Sequence, residues 1–222
     1  MGYQKVQLQS GFNFVAPQFV AVGDTAIDLQ SIRLDVSDDD ATGADNIQIL
    51  DDGGATLAAY SWYPAEWFGG EKSGWVDDLG ELADVEIQNG LSILVDSADE
   101  TTVTVAGEVS SADAVIESVA GFNFIGNSSP KAINIQDIQI DVADEDATGA
   151  DNNQILDEGG ATIAAYSWYP AEWFGGEKSG WVDDLGEFAD VELAPGQGVL
   201  LDASDAGILI TTPSALVTPQ GE

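Results

Sequence analysis

The chain has 222 residues, with 40 Asp and Glu against 5 Lys and Arg, no His, no Cys and a formal charge of −35 at pH 7. Neutralising phosphates needs a basic face, so nucleic acids and anionic membranes are excluded as partners. No apolar run approaches a membrane span, and the missing Cys and His exclude disulfides, nucleophile–His catalysis and the usual zinc, copper and haem ligands, leaving oxygen ligands that suit calcium or magnesium.

Period-two alternation dominates from the start of the chain. Val6 and Leu8 alternate with Gln, and Phe12 and Phe14 follow Gly11, which predicts half-buried strands. Ile27, Leu29, Ile32, Leu34 and Val36 continue the pattern with a change of phase at Gln30-Ser31, predicting a bulged strand. Strands over 46–50 and 55–63, separated by Asp51-Asp52-Gly53-Gly54, predict a hairpin. Residues 85–88 and 91–95, joined by Asn89-Gly90, predict a second hairpin, and 102–109 a closing strand. Residues 111–119 hold the best helical pattern, yet align with 3–9 and read as strand.

Residues 58–81 then return unchanged as 164–187, a shift of 106, and 40–46 map onto 146–152 by the same shift. Gly11-Phe12-Asn13-Phe14 recurs as Gly121-Phe122-Asn123-Phe124 with a shift of 110, placing a four-residue length change between 15 and 39. One module of ordinary domain size is therefore used twice, over 1–110 and 111–222. About seven or eight short strands per module, punctuated by Gly, Asp and Asn, predict an all-β chain of two tandem antiparallel β-sandwich domains, jelly-roll-like. The link near 108–114 is short and lacks a Gly/Pro-rich spacer, so the modules are expected to dock.

Three groups of residues are candidates for function. Asp38, Asp40 and Thr42 before Gly43, with Asp45 close behind, place oxygens as at the opening of many calcium loops; Asp144, Asp146, Thr148 and Asp151 repeat them. Position twelve is Ile49 or Ile155 where an EF-hand needs a bidentate acid, so the readings left are a non-EF calcium loop, completed by Asp35 or Asp141, and a solvated turn. In the aromatic block, Tyr60 and Trp62 share one strand face, and Trp62 and Trp75 are expected in the core. Trp67-Phe68 and Trp173-Phe174 stand in loops between Pro and a Gly pair, where an apolar pair needs a cover: its own module, a neighbour or a stacked sugar. Asp77-Asp78 and Asp183-Asp184 are adjacent acids, which a strand points to opposite faces, so they are not expected to flank one scissile bond.

The order Gly-Phe-Asn-Phe, Gln-Ile-Leu-Asp, Ala-Tyr-Ser-Trp, Gly-Trp-Val-Asp and Leu-Ala-Pro-Gly-Gln-Gly-Val resembles tandem-repeat all-β modules of secreted or surface proteins of bacteria. The resemblance implies an exported all-β module and no catalytic activity. Low Lys, no Cys, abundant Thr, Gly, Asp and Trp and the duplication also point to export, with a mature form or a cytoplasmic chain as the ways to read a start that is no signal-peptide core. The expectation is a non-enzymatic extracellular or cell-surface protein that assembles with copies of itself into a filament or surface layer. The alternative is a carbohydrate-binding or adhesive module with one aromatic site per repeat.

Overall fold

The computed structural model describes residues 2–23, 26–36, 41–50, 56–69, 73–143, 146–156, 161–170, 173 and 179–213. The first half comprises β1 (Gly2–Leu8), β2 (Gly11–Val15), β3 (Ala26–Asp28), β4 (Ile32–Leu34), β5 (Asn46–Leu50), β6 (Thr56–Tyr63), β7 (Gly74–Val76), β8 (Glu86–Gln88), β9 (Ile93–Ser97) and β10 (Thr101–Gly107). The second repeats them as β11 (Ala114–Glu117), β12 (Gly121–Gly126), β13 (Ile133–Asn134), β14 (Gln139–Ile140), β15 (Asn152–Leu156), β16 (Thr162–Tyr169), β17 (Gly180–Val182), β18 (Glu192–Leu193), β19 (Gly198–Ala203) and β20 (Leu209–Thr212). The chain is all-β with antiparallel sheets, and no α-helix occurs among the described residues.

Each half carries a five-stranded sheet, β2-β9-β5-β6-β7 or β12-β19-β15-β16-β17, and a three-stranded one, β1-β10-β4 or β11-β20-β14. A two-stranded sheet, β3-β8 or β13-β18, completes each set. Alternation along the strands puts Ile47, Trp62 and Val95 of one sheet and Val103, Val105 and Ile32 of another into a single buried cluster; a separate cluster forms around Trp168, Leu201 and Ile210. Trp62 meets Trp75 edge-on at 4.8 Å, as Trp168 meets Trp181 at 5.0 Å, and the Trp75 indole N–H donates to Ile32 O at 2.6 Å. The opening motif also has a local cause: Gly11 takes φ +100°, and the Asn13 amide ties the turn by donating to Gln9 O and Gly11 O and accepting from Gln9 N–H.

Two expectations are corrected. The strand across 27–36 is not bulged but broken by a one-turn 3-10 helix, Leu29–Ser31, which hands the chain from the β3-β8 sheet to the β10-β4 sheet. The Asp28 carboxylate accepts from Gln30 N–H and starts that turn. Residues 85–95 are not a hairpin either. Gly90 alone takes positive φ (+89°), and Leu91 N–H bonds Gln88 O, the signature of a type II turn; a type I′ hairpin turn needs positive φ at Asn89 too. The chain therefore changes sheets, β8 joining β3 and β9 joining β2 and β5. Ten strands per half among the described residues, against the seven or eight expected, follow from such breaks. The hairpin of β5 and β6 forms, while its turn at 51–54 lies outside the described residues.

The halves meet end to end through reciprocal contacts. Val15 bridges Gln197 while Leu91 bridges Ile125; Ala16 N–H donates to Gly196 O while Gly126 N–H donates to Gly90 O. Phe14 and Phe124 stack between them at 5.3 Å with planes 9° apart. Glycine on one side permits the approach, since a Cβ on Gly126 would lie 2.8 Å from the Ala16 methyl of the other half. Gly126→Val is expected to cost about 1–3 kcal/mol by overpacking this junction and to split one calorimetric transition into two; a single unshifted transition would show the contact to be dispensable. The four-residue length change falls between β2 and β3, where the longer loop of the first half buries Phe19.

Candidate functional site

Strand register places the predicted residues at the end of each half that faces away from the junction. Val15 pairs with Ile93 beside the junction and Gly11 with Ser97 at the other end. Asn46 is level with both Asp96 and Ser61, so Tyr63, two residues further along β6, reaches the far end.

Pro64 ends β6, and a 3-10 turn, Ala65–Phe68, follows, stopped by Gly69 in the left-handed region (φ 62°). This turn folds Trp67 back over Tyr63, with ring centroids 4.3 Å apart and planes at 23°. In the second half Trp173 lies over Tyr169 at 4.9 Å and 33°. Tyr63 also packs on Gly43, which holds φ +81°, donates to Trp62 O at 2.9 Å and has no room for a Cβ against the ring. Tyr169 and Gly149 repeat the arrangement. Gly43 at the sixth place of the acidic motif is thus required by backbone and ring alone. Each indole is stacked on one side yet open, 64 % exposed at Trp67 and 61 % at Trp173. Phe174 and the Phe68 side chain lie outside the described residues.

The acidic residues divide. Asp45 and Asp151 are buried. Asp45 Oδ1 accepts from Ala98 N–H at 2.9 Å and Ser97 Oγ at 3.2 Å, fastening the acidic loop to the turn after β9; Asp151 Oδ1 accepts from Ser204 N–H at 2.8 Å. Thr42, Asp146 and Thr148 are exposed, and Asp38, Asp40 and Asp144 lie outside the described residues. Asp35 faces Lys5 at 2.9 Å, and its hydrogen bond raises the pKa of the Lys5 ammonium. Among the described residues no three acidic side chains converge as cation ligands. Asp45→Ala is expected to destabilise the first half by about 1–3 kcal/mol through the orphaned Ala98 N–H, and Asp45→Asn, which keeps an acceptor oxygen, by less. Thermal melts with and without calcium check this, an equal loss for both variants that is seen only with calcium present pointing to a ligand role instead.

Asp77 has a local task too, its Oδ1 accepting from Leu79 N–H and Glu81 N–H at 2.9 Å each, and Asp183 does the same. The turn they cap exposes Leu79 and Leu185. Beside the second indole a hollow of about 430 Å³ is lined by Ser167, Tyr169, Trp173, Val182, Asp183 and Asp184. Sequence reasoning missed Tyr63 and Tyr169 as supports of the indoles. Their signal was present, because alternation sets Tyr63 on the face opposite Trp62, the face from which a following turn can be reached. No protein-family model, no curated protein and no solved structure matches the chain.

Proposed function

We propose that the chain is a non-catalytic structural subunit, exported from the cell, which assembles with copies of itself into a filament or surface layer. Its two halves are read as tandem jelly-roll-like β-sandwich domains derived by duplication, 1–110 and 111–222; the repeated strand orders and separate cores support this. One observation carries the functional reading: each half keeps an open, ring-supported indole at its far end, where neither half covers it. The junction is reciprocal and closed, so it does not propagate a head-to-tail fibre. Two equivalent adhesive ends on one subunit do propagate, each end meeting the end of a neighbour. A buried Trp at the centre of such a contact contributes about 2 kcal/mol or more, and salt or divalent cations screen the repulsion between chains of charge −35.

The reading predicts a graded result in sedimentation and electron microscopy. The natural chain forms open polymers as protein and salt rise, Trp67→Ala or Trp173→Ala stops at dimers because one end is lost, and the double variant stays monomeric. Monodisperse natural protein at high concentration, in salt and calcium, would sink the proposal.

The hollow beside Trp173 favours a second reading, in which a sugar stacks on the indole and Asp183 and Asp184 accept from its hydroxyls. Here the tryptophan variants lose glycan binding while the mass in solution stays unchanged.

A further inference from the structure

Strands β1 and β11 are the outermost members of the three-stranded sheets, β1 paired to β10 without a break from Gly2 to Leu8 and β11 to β20 from Ala114 to Glu117. Among the described residues no strand or bridge pairs with their other sides. Bonds on the far sides of β10 and β20 fix which residues face that opening. Asp35 N–H donates to Thr102 O, so the even-numbered residues of β10 bond toward β4 and the odd-numbered ones toward β1. Gly2, Gln4, Val6 and Leu8 stand opposite those odd-numbered residues, which leaves Tyr3, Lys5 and Gln7 to present N–H and C=O outward. Asp141 N–H donates to Leu209 O, and the same alternation leaves Val115 and Glu117 outward on β11.

A Lys in the middle of an edge blunts it against most strands. Its surroundings make Lys5 a selector. Residues 1–23 hold no Asp or Glu, the longest such run in a chain of −35, so β1 is the edge that a carboxylate can approach. Strand β11 carries one in Glu117. Pairing β1 with β1 brings Lys5 against Lys5, and pairing β11 with β11 brings carboxylates together, whereas β1 against β11 matches the charges. The Lys5 ammonium keeps donors beyond the one that Asp35 occupies. With Lys5 opposite Glu117, antiparallel register sets Gln7 opposite Val115 and Tyr3 beside Val119, and Tyr3, Val115 and Val119 are all exposed.

We propose that β1 of one copy pairs antiparallel with β11 of a second copy in this register, through main-chain bonds at Lys5 with Glu117 and at Gln7 with Val115. Main-chain bonds supply the attraction and the charge pair selects the strand. Two bonded residue pairs are too small a contact to hold a dimer alone. Repeated between polymers already joined at their ends, the contact ties them side by side into a layer. That consequence rests on the assembly reading, whereas the pairing itself uses neither far-end indole.

The chain has no Cys, so disulfide trapping reads a weak pairing directly. Residues opposite one another at a bonded antiparallel pair have Cα atoms about 5.5 Å apart, within reach of a disulfide. Chains carrying Gln7→Cys and chains carrying Val115→Cys, mixed at high concentration in about 150 mM salt and oxidised, should give heterodimers about tenfold above either homodimer. Tyr3→Cys mixed with Val115→Cys is out of register and should show no such excess. Lys5→Glu on the first chain should lower the heterodimer about fivefold or more, and Glu117→Lys on the second should restore it. No cross-link, homodimers as abundant as heterodimers, an equal yield from Tyr3→Cys, or a yield indifferent to charge reversal would overturn the proposal. The same comparison is made in chains that also carry Trp67→Ala and Trp173→Ala. Selective heterodimers there, when the natural chain forms no polymers, sink the assembly reading alone; polymers without selective heterodimers sink this one alone.

Discussion

Asn153→Ile is expected to stabilise the second half by about 1–3 kcal/mol, and Ile47→Asn to destabilise the first by about 3–5 kcal/mol. The two positions are equivalent by the shift of 106, and both are fully buried. Ile47 packs in the first core, between Tyr60 and Val95 in strand register. Asn153 sits between Tyr166 and Leu201, and neither its Oδ1 nor its Nδ2 has a partner among the described residues. The Trp168 indole N–H is also unpaired there. An amide buried without a hydrogen bond loses its water and gains nothing, whereas isoleucine restores an apolar contact that the other half shows can be accommodated. Differential scanning calorimetry reads both variants, with Tm rising for the first and falling for the second. A fall in Tm for Asn153→Ile would mean that the amide is bonded in solution, through an internal water shared with Trp168.

Gln30→Ala and Gln136→Ala come next in size, each expected to cost about 2–4 kcal/mol. The Gln30 amide behaves as a piece of strand: Nε2 donates to Trp75 O at 2.8 Å and Ala83 O at 3.1 Å, while Oε1 accepts from Trp75 N–H at 3.0 Å. Gln136 makes the same three bonds to Trp181 and Ala189. Removing either side chain takes the partner from Trp75 N–H and Ala83 O, or from Trp181 N–H and Ala189 O, next to the buried Trp pair, while the Trp75 and Trp181 carbonyls keep the Ala83 and Ala189 N–H. Gln→Glu separates hydrogen bonding from shape, because a carboxylate accepts from Trp75 N–H but cannot donate to the two carbonyls. Urea melts should order the stabilities natural, then Glu, then Ala or below. A loss under about 0.5 kcal/mol, the level of an ordinary surface change, would contradict this role.

Strands and core were legible wherever one face meets water and the other meets protein. Tyr60 and Trp62 alternate with Ser61 and Tyr63, and Trp62 is buried in the core with Tyr60 packed partly buried against it. Legibility failed where a side chain replaces a backbone partner. The phase change at Gln30 marks a capped 3-10 turn whose amide closes a gap 45 residues away, and no periodicity encodes that. Asn89-Gly90 misled for a related reason: the dipeptide admits more than one turn, and reciprocal bonding across the junction, through Gly90 O, accompanies the turn that is made. At the far ends, Pro and Gly around an apolar pair marked the indoles as needing a cover and left open whether their own module supplies it. The dual use of Gly43, as a left-handed residue and a seat for Tyr63, needed the ring in place to be seen. Asp45 looked like a ligand by spacing, but spacing does not reveal that a carboxylate is buried and bonded to Ala98 N–H.

The reciprocal junction has the form of a twofold dimer whose two protomers share one chain. Ancestral single modules meeting through these bridges would have paired only as fast as their concentration allowed. Joining residue 110 of one to residue 111 of the next makes the encounter intramolecular, at an effective concentration of about millimolar for a short linker. Once pairing no longer depends on supply, each side is free to drift from the other. The glycines at Gly126 and Gly198, opposite Ala16 and Ser92, are such asymmetries: under the duplication proposed above, a contact that began symmetric has become lopsided without coming apart.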